Sequence, residues 1–191
     1  MPIPWEARGE LGRAAAAWHT FRRVVWDPLR FFRDLPGLSQ SSRGGPLRFG
    51  VLIGVLAVAP GLLTFGLSRA ELVPLAVPVL LALPFVLHLR MLATTAAVWL
   101  LTTLTTNRRE WEVIERITGY AAAADLVLIV PGLGWIVGPF IAGLYRAVGL
   151  RVALGVPRWA ALVSALGPTF IVGLMMMGLV GVAVVGWGIP L

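Results

Sequence analysis

The chain has 191 residues, of which 58% are hydrophobic and only 13% charged, with a net charge of +7. Its mean hydropathy is +0.86. Globular soluble domains are nearer a quarter charged, and here the apolar residues fall in blocks long enough to span a bilayer, so an ordinary soluble domain is excluded and an integral membrane domain is expected. All sixteen basic residues are arginine and there is no cysteine, which removes disulfides, thiolate metal sites and cysteine nucleophiles. The arginines flank apolar spans and are not interleaved with aromatics in a soluble module, so anionic lipid headgroups are the expected partner and nucleic acid is not. Met1 to Ala17 lacks a basic start followed by an apolar core, so no cleavable signal peptide is expected.

Residues 1–46 read as a cytoplasmic segment. From Leu11 to Trp26 the large apolar residues Leu11, Trp18, Phe21 and Val25 lie within about 80° of one another at roughly 100° per residue, with Arg13, Thr20 and Arg23 opposite, predicting a short amphipathic helix. Asp27-Pro28 reads as the start of a second helix, Pro28 to Leu35, with Asp27 as cap, Pro28 in the first turn and Trp26 placed to pack on Phe31. Arginine beside Trp and Phe favours the headgroup layer, which makes Trp18, Phe21, Arg22, Arg23, Phe31 and Phe32 the candidate membrane-surface contacts. The alternative is that both helices cover the cytoplasmic ends of the bundle. Gly37 to Pro46 is a linker by composition.

Five spans follow, at about 47–67, 72–106, 117–131, 134–150 and 159–187. Gly50 and Gly54 in the first form a small-residue pair that lets another helix approach closely. Leu72 to Thr106 has no clear turn signal and as a helix measures roughly 52 Å, so it is either one long tilted helix or two short spans hinged at His88-Leu89-Arg90. Arginine bias decides: with five spans and the N-terminus inside, fourteen of the sixteen arginines are cytoplasmic, Arg69 alone is external, and Arg90 is set aside. One long helix is therefore expected, bent in its outer half by Pro74, Pro78 and Pro84. The third and fourth spans turn at Pro131-Gly132-Leu133-Gly134, and the fifth contains Gly167-Pro168. The expected class is an all-α polytopic bundle in the bacterial inner membrane, with five transmembrane helices preceded by interfacial amphipathic helices and an external C-terminus.

Trp26-Asp27-Pro28, Phe31-Phe32, Tyr120, Pro131-Gly132, Gly149-Leu150 and the stretch from Gly155-Val156-Pro157-Arg158 to Gly167-Pro168 resemble the Yip family of Ypt-interacting membrane proteins. The order and spacing of these pieces carry the resemblance, which covers about Trp18 to Pro168. It implies a five-helix membrane protein with a cytoplasmic N-terminus. Eukaryotic members act in vesicle trafficking with small Rab-type GTPases. The short N-terminal region here departs from their pattern, so the resemblance implies fold and topology and no reaction.

Ionisable groups at membrane depth are functional candidates by default. Counted from the turn near Leu133, Asp125 and Arg146 differ in depth by roughly 7 to 8 Å, and helical side chains lean toward their own N-termini, so the two are placed to meet directly or through water. The bland reading is a structural pair. Tyr120, level with Tyr145 and Arg146, and the pair His88 and Arg90 complete a candidate intramembrane polar cluster. A single histidine without a partner three or four residues away is no metal site. Met175-Met176-Met177 places its members on three faces and reads as packing. The threonines of Thr94 to Thr106 are expected to bond their own preceding turns. No Gly-x-Ser-x-Gly elbow, His-Glu-x-x-His or phosphate loop occurs, so no cofactor and no catalytic site are expected. The expected function is a non-catalytic organiser binding lipids, a protein partner or a second copy at the cytoplasmic membrane face. The rival is a transporter or permease subunit using Asp125 and Arg146.

Overall fold

A computed structural model describes residues 3–6, 9, 12–35, 45–67, 73–129 and 133–171. Among them there is no strand. The helices are α1 (Arg13–Trp26), α2 (Pro28–Arg33), α3 (Gly45–Leu67), α4 (Val73–Thr106), α5 (Trp111–Ala121), a 3₁₀ stretch (Ala122–Ile129) continuing α5, α6 (Leu133–Leu154), and α7 (158–171). Most of the linker before Gly45, the loop at residues 68–72, the Pro131-Gly132 turn, the fifth span beyond residue 171 and Met175 to Met177 lie outside the described residues.

Among the described residues three helices are long and apolar enough to cross a membrane, over Gly45–Thr64, Val77–Thr106 and Val137–Leu154. The second belongs to a continuous 34-residue helix that runs through Pro78 and Pro84. It stops at Asn107, which takes φ 58° and donates its N–H to the Thr103 carbonyl at 2.8 Å. Asparagine enters this left-handed region more readily than most residues, so it can end a helix. Half of the six threonines from Thr94 to Thr106 bond backward as expected, Thr94 to the Arg90 carbonyl, Thr105 to Leu101 and Thr106 to Thr102, all within 2.7–2.8 Å; Thr103 instead donates forward to the Arg108 carbonyl at 2.9 Å, and the buried Thr95 and Thr102 hydroxyls have no hydrogen-bond partner among the described residues. Thr105 also reaches Ser164 of α7 at 3.5 Å.

The third hydrophobic element differs from its expected form. It begins at Trp111, six residues before Ile117, and turns 3₁₀ at Ala122. Glu112 in its first turn suits the positive end of a helix dipole. At about 2.0 Å per residue, the eight 3₁₀ residues extend roughly 16 Å, about a third more than α-helix of the same length. This element is the axis of the bundle. Every residue from Arg116 to Asp125 is buried, and α3, α4 and α6 all pack around it. Small residues permit the approach. A β-carbon on Gly50 would meet the Gly119 carbonyl oxygen at 3.1 Å, the Met91 sulfur at 3.2 Å and Ala122 at 3.3 Å, while one on Gly149 would meet Ile117 at 2.6 Å. Gly54 likewise admits Leu87, so both members of the Gly50/Gly54 pair sit at helix contacts. By contrast, Leu81, Phe85, Leu89 and Leu104 of α4 face outward, the side a bilayer would cover.

The N-terminal helices pack on the bundle, one of the two expected roles, and α1 keeps an exposed aromatic and basic face. In α1 the buried stripe is Ala16, Thr20 and Val24, the face opposite the aromatic one. Phe21 and Val25 are half-buried, and Trp18 is 59% exposed. Asp27 caps α2 as expected, accepting the Arg30 N–H at 3.3 Å. Phe31 and Phe32, expected at the membrane surface, are instead core residues at 2% and 0% exposure. The physical reason is the depth of the site: Phe31 meets Tyr120 edge to face at 5.2 Å between ring centres, and Tyr120 meets Phe49 at 5.4 Å. Two large rings filling that space bury more apolar area than they would half-immersed among headgroups. Trp26, expected to pack on Phe31, is 77% exposed.

Candidate functional site

Three groups of polar side chains stand apart from the apolar bundle. The deepest centres on Asp125, carried into the interior by the 3₁₀ stretch and 1% exposed. One carboxylate oxygen accepts from Arg90 of α4, with Nη2 to Oδ2 at 3.3 Å. The other, Oδ1, has no hydrogen-bond partner among the described residues. Arg146, the expected partner, binds elsewhere: Nε donates to the Ala142 carbonyl of its own helix and Nη1 to the Ala165 carbonyl of α7, both at 3.2 Å. It remains close enough for its charge to act on Asp125 and Arg90. The expected Asp125–Arg146 contact is thus replaced by Asp125–Arg90. The cause is local geometry, because each 3₁₀ residue turns about 120° where an α-helical residue turns about 100°, so four residues into the stretch the face has rotated by roughly 80°. His88, half-buried two residues before Arg90, takes no part in the ion pair.

The second group was not foreseen. Residues 3–6 tuck into the bundle, with the Trp5 indole N–H donating to the Gly45 carbonyl at 2.6 Å and its backbone N–H to the Thr20 hydroxyl at 2.9 Å. This delivers Glu6 to the C-terminal half of α5. The Tyr120 hydroxyl donates to Glu6 Oε1 at 2.8 Å, and Arg116 Nε approaches the same oxygen at 3.8 Å. Arg116 Nη1 donates to the Leu35 carbonyl at 3.1 Å, tying the end of α2 to α5. Tyr120 therefore belongs to this group and not to that of Asp125, and Tyr145 instead donates its hydroxyl to the Val25 carbonyl of α1 at 3.4 Å. Arg116 and Tyr120 are four apart, one turn of helix, which is the signal the sequence held. Nothing around Glu6 marked it.

The third group lies on the surface. Trp18, Arg22 and Trp26 follow each other at four-residue intervals on the side of α1 away from the bundle, and all three are exposed. With His19, Arg23 and Asp27 they line a shallow open cleft along the outer face of α1. Trp18 stacks on Phe21 at 5.7 Å, which braces one wall. Arg23 leans on the Phe31 ring at 5.9 Å and pairs with Asp34 at 3.6 Å. Of the six expected surface contacts, Trp18, Arg22 and Arg23 border the cleft, Phe21 backs it, and Phe31 and Phe32 are inside.

Among the described residues no group of three or more His, Asp or Glu side chains is placed to hold a metal ion. Fold and site together define an all-helical protein with three helices able to cross a membrane and an outward basic-aromatic surface on the helix that precedes them. Compared with family models, curated proteins and solved structures, the chain matches none.

Proposed function

We propose that this is a non-catalytic membrane protein of the Yip type, with five spans, a cytoplasmic N-terminus and an external C-terminus, that gathers lipids or protein partners at the cytoplasmic face of a bacterial inner membrane. One observation carries this reading: α1 buries small residues and turns Trp18, Arg22 and Trp26 outward, spending its large aromatic side chains on something other than its own core. Exposed Trp beside arginine suits a membrane interface, where the indole is half apolar and the guanidinium meets phosphate. α5 with its 3₁₀ extension and α7 with the residues after it supply the third and fifth spans. The arginine distribution supports the orientation. Affinity purification from native membranes with lipids retained tests the reading. A reproducible partner or lipid set should accompany the intact chain and diminish for Trp18→Ala combined with Trp26→Ala; an unchanged set would contradict it.

A transport role is favoured by a different observation, the Asp125 oxygen without a hydrogen-bond partner beside an Arg90 whose side chain is 40% exposed. On that reading Asp125→Asn folds normally and abolishes the cellular phenotype of the gene, since a proton or cation site needs a titratable group. On the organiser reading the asparagine variant folds and complements.

A further inference from the structure

We infer that the cleft on α1 is a binding site for the headgroup of an anionic phospholipid, an inference that rests on the membrane-surface reading above and specifies its ligand. Depth is the first support. Tyr145 holds the Val25 carbonyl from a position nine residues before the end of α6 at Leu154, so the C-terminal end of α1 sits beside the bundle, roughly 13 Å along α6 from that end at about 1.5 Å per residue. The exposed Arg151 and Arg158 bracket that end of α6, so the outward face of α1 lies on the flank of the bundle near its arginine-bearing end.

Charge is the second support. Arg22 is exposed and makes no ion pair among the described residues, leaving its guanidinium fork for an incoming anion. Arg23 contributes a second guanidinium, only one of whose nitrogens is given to Asp34. The single acid in the lining, Asp27, already accepts the Arg30 N–H. Two guanidinium groups present the planar donor geometry that phosphate oxygens take. The walls supply the third support: Trp18 and Trp26 are two turns apart, about 12 Å along the helix, and their exposed indoles flank the arginines where glycerol and the first acyl carbons would lie.

The test uses the full chain purified in mild detergent and exposed to phosphatidylglycerol or phosphatidylcholine, with bound lipid counted by native mass spectrometry. Wild type should retain phosphatidylglycerol selectively. Arg22→Gln with Arg23→Gln should weaken that retention about 30-fold, at roughly 1 kcal/mol per arginine near an anionic lipid phosphate. Arg30→Gln with Arg33→Gln, an equal charge change on exposed residues outside the lining, should weaken it less than about 3-fold. Equal losses in the two double variants would reduce the site to diffuse attraction, and equal retention of both lipids would remove it; either overturns the proposal. Displacement of the lipid by millimolar inorganic phosphate would also overturn it, because it would assign the cleft to a free anion. Circular dichroism and thermal unfolding check that the variants fold, since Arg23 also pairs with Asp34 and rests on Phe31. Partner recovery from native membranes by the Arg22/Arg23 variant separates this proposal from the broader one: a lipid loss with partners retained supports the cleft, while partners lost with lipid retained counts against the cleft as the recruiting element.

Discussion

At the scale of single residues, the consequence of exchanging Arg146 for Arg90 as the partner of Asp125 is measurable. Asp125 is enclosed and Arg90 is partly exposed, so the two sides of the pair are unequal. Arg90→Leu leaves a buried carboxylate without its hydrogen-bonded cation and should cost about 3 to 5 kcal/mol. Asp125→Leu should cost less, since Arg90 can swing its guanidinium outward. The double change should recover much of the larger loss. Arg146→Leu should behave differently from Arg90→Leu, because its hydrogen bonds go to the carbonyls of Ala142 and Ala165 and both helices keep their own ladders. Thermal unfolding of these four variants and of Arg146→Leu combined with Asp125→Leu, in detergent, orders them. A loss from Arg146→Leu rescued by Asp125→Leu would restore the direct pair that residue counting implied. Near the C-terminal end of α5, Tyr120→Phe removes a donor to a carboxylate and should cost about 1.5 to 3 kcal/mol. The loss should be accompanied by faster proteolysis in the N-terminal segment, since Glu6 is what Tyr120 holds.

At the scale of elements, glycine positions give the sharpest contrast. A β-carbon on Gly119 would press into the backbone of Pro46, which cannot move like the end of a side chain, whereas one on Gly61 meets nothing within 4 Å. Gly119→Ala should therefore cost on the order of 1 to 3 kcal/mol by overpacking, while Gly61→Ala should be neutral or stabilise slightly through helix propensity. Equal melting temperatures for the two would mean that α3 and α5 do not approach as described. The sequence revealed α1, the Asp27 cap, the single long helix through His88 and the close approach at Gly50, because each rests on local pattern or on a small side chain where bulk would not fit. It did not reveal which face of α1 meets the protein. The amphipathic pattern is local, but Thr20 inward, and with it Trp18 outward, depends on Trp5 arriving from far along the chain to bond the Thr20 hydroxyl. The 3₁₀ stretch was equally hidden, since Ala122 to Ile129 has the composition of a good α-helix, and with it went the true partner of Asp125. Phe31 and Phe32 were visible as aromatic and interfacial; the burial of Phe31 follows from Tyr120, itself packed on Phe49, meeting it across the bundle, and Phe32 lies against the small Gly149 of α6.

At the scale of the molecule, the arrangement is a tightly enclosed third element wrapped by longer apolar helices, with a basic and aromatic collar at one end. On the proposed five-span topology fourteen of the sixteen arginines fall on one side, the side that the positive-inside rule assigns to the cytoplasm, and the exposed face of α1 would then meet the anionic leaflet. The chain contains no cysteine, so single cysteines introduced for labelling report without background. The most direct measurement is accessibility of Asn107→Cys and Leu191→Cys, each in intact cells, to a maleimide that cannot cross the membrane. Five spans with the collar inside predict that residue 191 is labelled from outside and residue 107 only after the membrane is opened. Labelling of both from the same side would contradict the topology on which the proposed function rests.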